Sequence, residues 1–100
     1  MQADEMASEL ELYIENTGEL YPQKKAIIAN IKRKLKSGRY NHTLAPKLWL
    51  YWVDAGAKRF LKEFRCAGVR MQDIFPRPVR VHIATRLADE YLGLIERGEV

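Results

Sequence analysis

The sequence predicts an all-α fold, a small four-helix bundle formed by a single helical domain over residues 1–100. Three observations predict it. Apolar residues recur at three- and four-residue steps along nearly the whole chain, as they do in helices with one buried side. Gly or Pro falls at each break between those runs. A length of 100 residues with 47% hydrophobic content suits one packed core and is too short for two.

The first helix is expected over residues 7–16, with Met6, Leu10, Tyr13, Ile14 and Thr17 along one side and Gly18 as its C-terminal cap. Ser8 and Glu11 have capping-box spacing. The second is expected over residues 19–37, with Leu20, Ile27, Ile28, Ile31 and Leu35 as its buried stripe. Pro22 fits only in the first turn, and Gly38 ends the helix. The third and longest is expected over residues 44–66, with Thr43 as N-cap, Pro46 in the first turn and Gly68 beyond its end. The fourth is expected over residues 76–97, with Val79, Ile83, Leu87, Tyr91, Leu94 and Ile95 inward and Gly98 past the end. "RPVRVHI" alternates briefly like a strand, but the residues after it have helical spacing. Short links favour antiparallel neighbours, hence an up-and-down order. The loop from Ala67 to Phe75 has room for one extra helical turn.

The net charge of +4 hides an uneven distribution. Residues 1–20 carry six acids and no Lys or Arg, whereas residues 21–50 carry eight Lys or Arg and no acid. Such blocks imply either a basic patch offered to a polyanion or an acidic helix folded along a basic one. At about 100° per residue, Lys25, Lys32 and Lys36 share an arc of roughly 40°, while Arg33 and Lys34 point elsewhere. Lys58, Lys62 and Arg65 form a second stripe. If helices two and three are antiparallel, the stripes join into one basic edge, extended by Arg70, Arg77 and Arg80. An edge meeting about five phosphates would give a slope of log K against log salt of about −4 to −5 on duplex DNA. Against this stands the possibility that the acidic first helix lies along the second and cancels the field, with the remaining lysines complementing helix dipoles.

"PKLWLYWVDAGAKRF" places six apolar or aromatic residues in succession, Leu48 to Val53, which in a helix cover every side. Neighbours in so small a bundle cover only some of those sides. Trp49, Tyr51 and Trp52 are therefore candidate interface residues, and Ala55, Gly56 and Ala57 would let a second helix approach closely. A symmetric homodimer through this helix follows as an expectation. The alternative is a central core helix with its indoles tucked under loops. Tyr40, His42 and Lys47 near Trp49 also invite a base-stacking reading. A helix-turn-helix is disfavoured, because "SGRYNHT" exceeds the about 3- to 4-residue turn of that motif and the third helix offers leucine and tryptophan where base-reading groups belong.

No phosphate loop, nucleophile elbow or H-E-x-x-H pattern occurs, so neither catalysis nor a cofactor is expected. Asp73, His42 and Cys66 are far apart in sequence. Cys66 reads as packing, and His82 as a solvated side chain. One Cys and two His make neither a disulfide nor a zinc pattern. Asp54 with Lys58 and Arg86 with Glu90 have ion-pair spacing. No run is apolar enough to span a membrane, and "MQADEMASELE" is acidic where a secretory signal would be basic, so a cytoplasmic location is expected. The expected partner is a protein or a second copy, with nucleic acid as the alternative and no small-molecule ligand.

"ELELYIENTGELY", "KLWLYWVDAGAKRFLKEF" and "IATRLADEYLGLIERGEV" together resemble a group of small uncharacterised helical bacteriophage and prophage proteins. The resemblance implies a compact accessory protein of a phage or mobile element. It implies no activity, cofactor or site residue.

Overall fold

A computed structural model of the chain describes residues 3–64 and 68–100. Four long helices, α1 (Ala3–Glu15), α2 (Tyr21–Lys36), α3 (Ala45–Glu63) and α5 (Arg77–Glu96), are joined by a 3₁₀ turn at Gly18–Leu20 and a one-turn helix, α4 (Met71–Ile74). The all-helical bundle expected from the sequence is thus present, with no strand among the described residues, and "RPVRVHI" opens α5. Arg65 and Cys66 lie outside the described residues, as does the side chain of Met6.

The frame is the antiparallel pair of α3 and α5. Trp49 stacks on Tyr91 at 4.7 Å near one end, and Asp54 meets Arg80 nearer the other. Leu10, Ile14, Trp49, Trp52, Val53, Phe75, Ile83 and Leu87 are all at most 2% exposed and form a single core. α1 runs parallel to α5, with Glu11 reaching Arg86 and Glu15 reaching Tyr91, and it covers the later half of α3. α2 then covers the earlier half: Leu20 lies beside Trp52, and Ile31 lies beside Ala45 and Leu48. The up-and-down order therefore holds for α2 and α3 but not for α1 and α2, which follow one another along the frame and give a molecule of 45 × 24 × 18 Å. The local cause is Thr17. It leaves α1 in extended conformation, its hydroxyl donates to the Tyr13 carbonyl at 2.6 Å, and the 3₁₀ turn feeds straight into α2 without reversing the chain.

Other local expectations change as well. Gly18 is not a left-handed cap, whereas Gly38 is, at φ +73°, where Arg39 N–H donates to the Lys34 carbonyl in a Schellman closure. Ser8 is no N-cap, because α1 already runs from Ala3. Thr43 does not cap α3. Asn41 organises that start instead, its Oδ1 accepting from Thr43 N–H and its carbonyl from Leu44 and Ala45. Asp54 pairs with Arg80 at 2.7 Å rather than with Lys58, and Arg86 pairs with Glu11 rather than with Glu90. In both pairs a partner brought in by tertiary packing replaces the one a turn away.

Candidate nucleic-acid interface

The buried side of α3 is fixed by Trp49, Trp52, Val53, Gly56 and Ala57. Trp49 is 0% and Trp52 1% exposed, so neither is available to a partner, and of the three candidate interface aromatics only Tyr51, 71% exposed, remains at the surface. The reason is that α1 and α2 divide the length of α3 between them, so two short helices cover more of it than one antiparallel neighbour would. The small residues serve the same packing. Gly56 receives the Ile14 side chain of α1, so the close approach expected of a second chain is made within the protomer.

Of the paired acids of the N-terminal segment, only Glu15 reaches α2. Glu11 pairs with Arg86, Glu15 with Lys24 at 3.2 Å, and Glu19 with Arg59 at 3.0 Å. α1 packs on α3 and α5 rather than along α2, so the ion pairing between the acidic and basic helices is confined, among the described residues, to Glu15 with Lys24. With Ile27 and Ile31 inward, Lys25, Lys32 and Lys36 point to solvent, and Arg33 falls on the same outward arc. Ala26 and Ala29 lie between them, also exposed. Lys25, Lys32, Arg33 and Lys36 form no ion pair with any described residue.

Lys58 and Lys62 are exposed on α3, but not beside the α2 lysines. Leu20 lies level with Trp52, which puts Lys58 and Lys62 about 9 and 15 Å farther along α3, beyond the start of α2. There, Lys62 borders an open groove of about 670 Å³ lined also by Glu19, Arg59 and Glu63. Within that groove Glu19 holds Arg59, and Glu63 accepts the Tyr13 hydroxyl. The expected single basic edge is therefore two stripes separated by the paired charges at the α1–α2 junction. Arg65, expected to extend the second, lies outside the described residues.

The phase of α3 brings together residues that the sequence reading names separately. Opposite the tryptophans, Lys47, Tyr51, Lys58 and Lys62 fall within an arc of roughly 60°, all exposed. The signal was present in the spacing, but it could be used only once the buried side was known. The base-stacking set around Trp49 is not assembled. Trp49 is interior, and Tyr40 and His42 pack edge to face on one another at 4.9 Å.

Between the stripes and the core lies a clasp. The Tyr91 hydroxyl donates to Glu15 at 3.0 Å, and the Lys24 ammonium sits 4.9 Å over the Tyr91 ring and 5.8 Å over that of Trp52. Burial pushes the Tyr91 hydroxyl above its ordinary 10.0; Lys24 opposes this and Glu15 adds to it. Burial pulls Lys24 down, but Tyr91 and Glu15 outweigh that and leave it above 10.5. Burial and Glu63 likewise raise Tyr13. A phenol raised by folding keeps its proton after the unfolded chain has lost it, so stability falls as pH climbs past 10.0. The Lys24 contribution is complete below 10.5 and is lost as pH rises through its folded value. Denaturation midpoints between about pH 8 and 11 should therefore decline at the alkaline end, and Tyr91→Phe should flatten that decline.

No group of three or more His, Cys, Asp or Glu among the described residues is placed to hold a metal, and no described helix is long and apolar enough to cross a membrane. Comparison with family models, curated proteins and solved structures finds no match to this chain.

Proposed function

We propose that this protein is a non-enzymatic, cytoplasmic nucleic-acid-binding module that grips the phosphate backbone without reading sequence. One observation carries the proposal: the outward face of α2 presents Lys25, Lys32, Arg33 and Lys36 unpaired, in a stretch with no acid between Glu19 and Asp54. A surface of point charges lacking amide groups aimed at base edges supplies affinity rather than specificity. An accessory role in a phage or mobile element, the setting implied by the resemblance, would suit such a module.

The test is an anisotropy titration on duplex DNA across a salt series. Lys25→Gln, Lys32→Gln and Lys36→Gln together should reduce the magnitude of the log–log salt slope by about 2.7, three phosphate contacts at about 0.9 each. Absence of binding to duplex DNA, single strands and RNA at about 100 mM salt would defeat the proposal.

A protein partner or a second copy is the other reading, favoured by the apolar strip on the outer side of α3. Leu44 is 46% exposed and Tyr51 71%, with Leu48 half-buried between them. Light scattering at high micromolar concentration decides whether the chain pairs with itself.

A further inference from the structure

On α2 the exposed ring, Tyr21, stands at the first residue of the helix and is covered by Lys25 at 5.7 Å, whereas the outward face of α3 carries its ring within the row of lysines. Tyr51 stands 71% exposed between Lys47, one turn before it, and Lys58, two turns after, with Lys62 a further turn on. Lys47 and Lys62 are 15 residues apart, so the row is about 22 Å long. None of the three lysines is ion-paired with a described residue. Of the acids beside this face, Glu19 holds Arg59 and Glu63 accepts the Tyr13 hydroxyl near Lys62, and Asp54 is turned aside by Arg80, whose Nη1 lies 2.7 Å from it while Nε donates to the Phe75 carbonyl at 2.9 Å. Arg80 is itself mostly buried and held at two points, so Asp54 is neutralised by the fold and does not repel an anion laid along the row.

A ring face between cations suits a strand whose bases are free to stack. In a duplex the bases are already stacked on each other, and a single tyrosine on a convex helix has nothing to meet. We infer that the Lys47, Tyr51, Lys58 and Lys62 face takes single-stranded nucleic acid, one base lying on the Tyr51 ring and the flanking phosphates on the lysines. The inference rests on the nucleic-acid reading above and adds the strand class and the stacking residue. Tyr51 is 71% exposed and is not one of the side chains packed against the core, so its truncation is a clean probe.

The experiment compares the wild-type protein, Tyr51→Ala, Tyr51→Phe and the α2 triple glutamine variant on three labelled probes. The probes are a single strand of about 16 thymidines, a duplex of the same length and an abasic strand of the same length. Tyr51→Ala should weaken binding to the thymidine strand by about 5- to 100-fold, the range for one stacked base, with Tyr51→Phe close to wild type because the ring and not the hydroxyl is used. The duplex and the abasic strand should respond little to Tyr51→Ala. Two results would overturn the inference while leaving the backbone-binding reading intact: unchanged affinity of Tyr51→Ala for the thymidine strand while the triple variant loses affinity, or equal losses on the abasic strand. Failure of the wild-type protein to bind any probe would remove both.

Discussion

Gly56→Ala, a change that ordinarily stabilises a helix interior by about 1 kcal/mol, should here destabilise the protein by about 1–2 kcal/mol net. The added methyl would clash with Cγ1 of Ile14 and stand 2.7 Å from its Cδ1. Ile14 is 1% exposed, so its side chain has no solvent to retreat into and α1 must lift instead. For a chain of this size the loss corresponds to a melting temperature lower by about 4–15 °C. Ile14→Ala removes the obstructing atoms at its own cost of about 2–5 kcal/mol. In the double variant the two losses should fall short of additive by about 0.5–3 kcal/mol, the coupling expected of residues in contact. Additive losses would mean that α1 does not sit in the notch at Gly56.

The two tryptophans, alike in burial, should differ in how they tolerate loss of the indole nitrogen. Trp52 Nε1 donates to the Leu20 carbonyl at 2.9 Å, tying α3 to the start of α2, whereas Trp49 Nε1 is buried without a hydrogen-bond partner among the described residues. Trp52→Phe removes this tie, at about 0.5–1.5 kcal/mol beyond the lost ring area, while the Leu20 carbonyl, as the N-cap of α2, keeps the first intrahelical bond. Trp49→Phe loses comparable area but removes a donor that was already unsatisfied. Urea denaturation should therefore rank Trp52→Phe as the more destabilising by about 0.5–1.5 kcal/mol. Equal midpoints would mean that the Leu20 bond contributes nothing.

Helix number and phase were legible because they depend on local spacing. Gly38 and Gly98 stop their helices as expected, and Leu10, Ile14, Ile27, Ile31, Ile83, Leu87 and Tyr91 are buried as their periodicity requires. Partner choice was not legible, because it depends on which helices meet. A carboxylate at Asp54 sees Lys58 one turn away in sequence, yet packing delivers Arg80 to a part-buried position beside it, where the attraction is stronger. The same limit governs the candidate site. Six consecutive apolar residues identify a helix that must be largely covered, but not by what. Once α1 and α2 share that task, the aromatic surplus shrinks to Tyr51, and the charges around it become the feature that remains.

That α1 and α2 follow one another along the frame also means that they barely brace each other. Among the described residues the ion pair between them is Glu15 with Lys24, so loosening at the amino-terminal end would uncover the Tyr13, Phe60 and Phe64 ring cluster while α2 keeps its footing on Trp52 and Leu48. What joins the two halves is the shared frame of α3 and α5, on which both shorter helices rest.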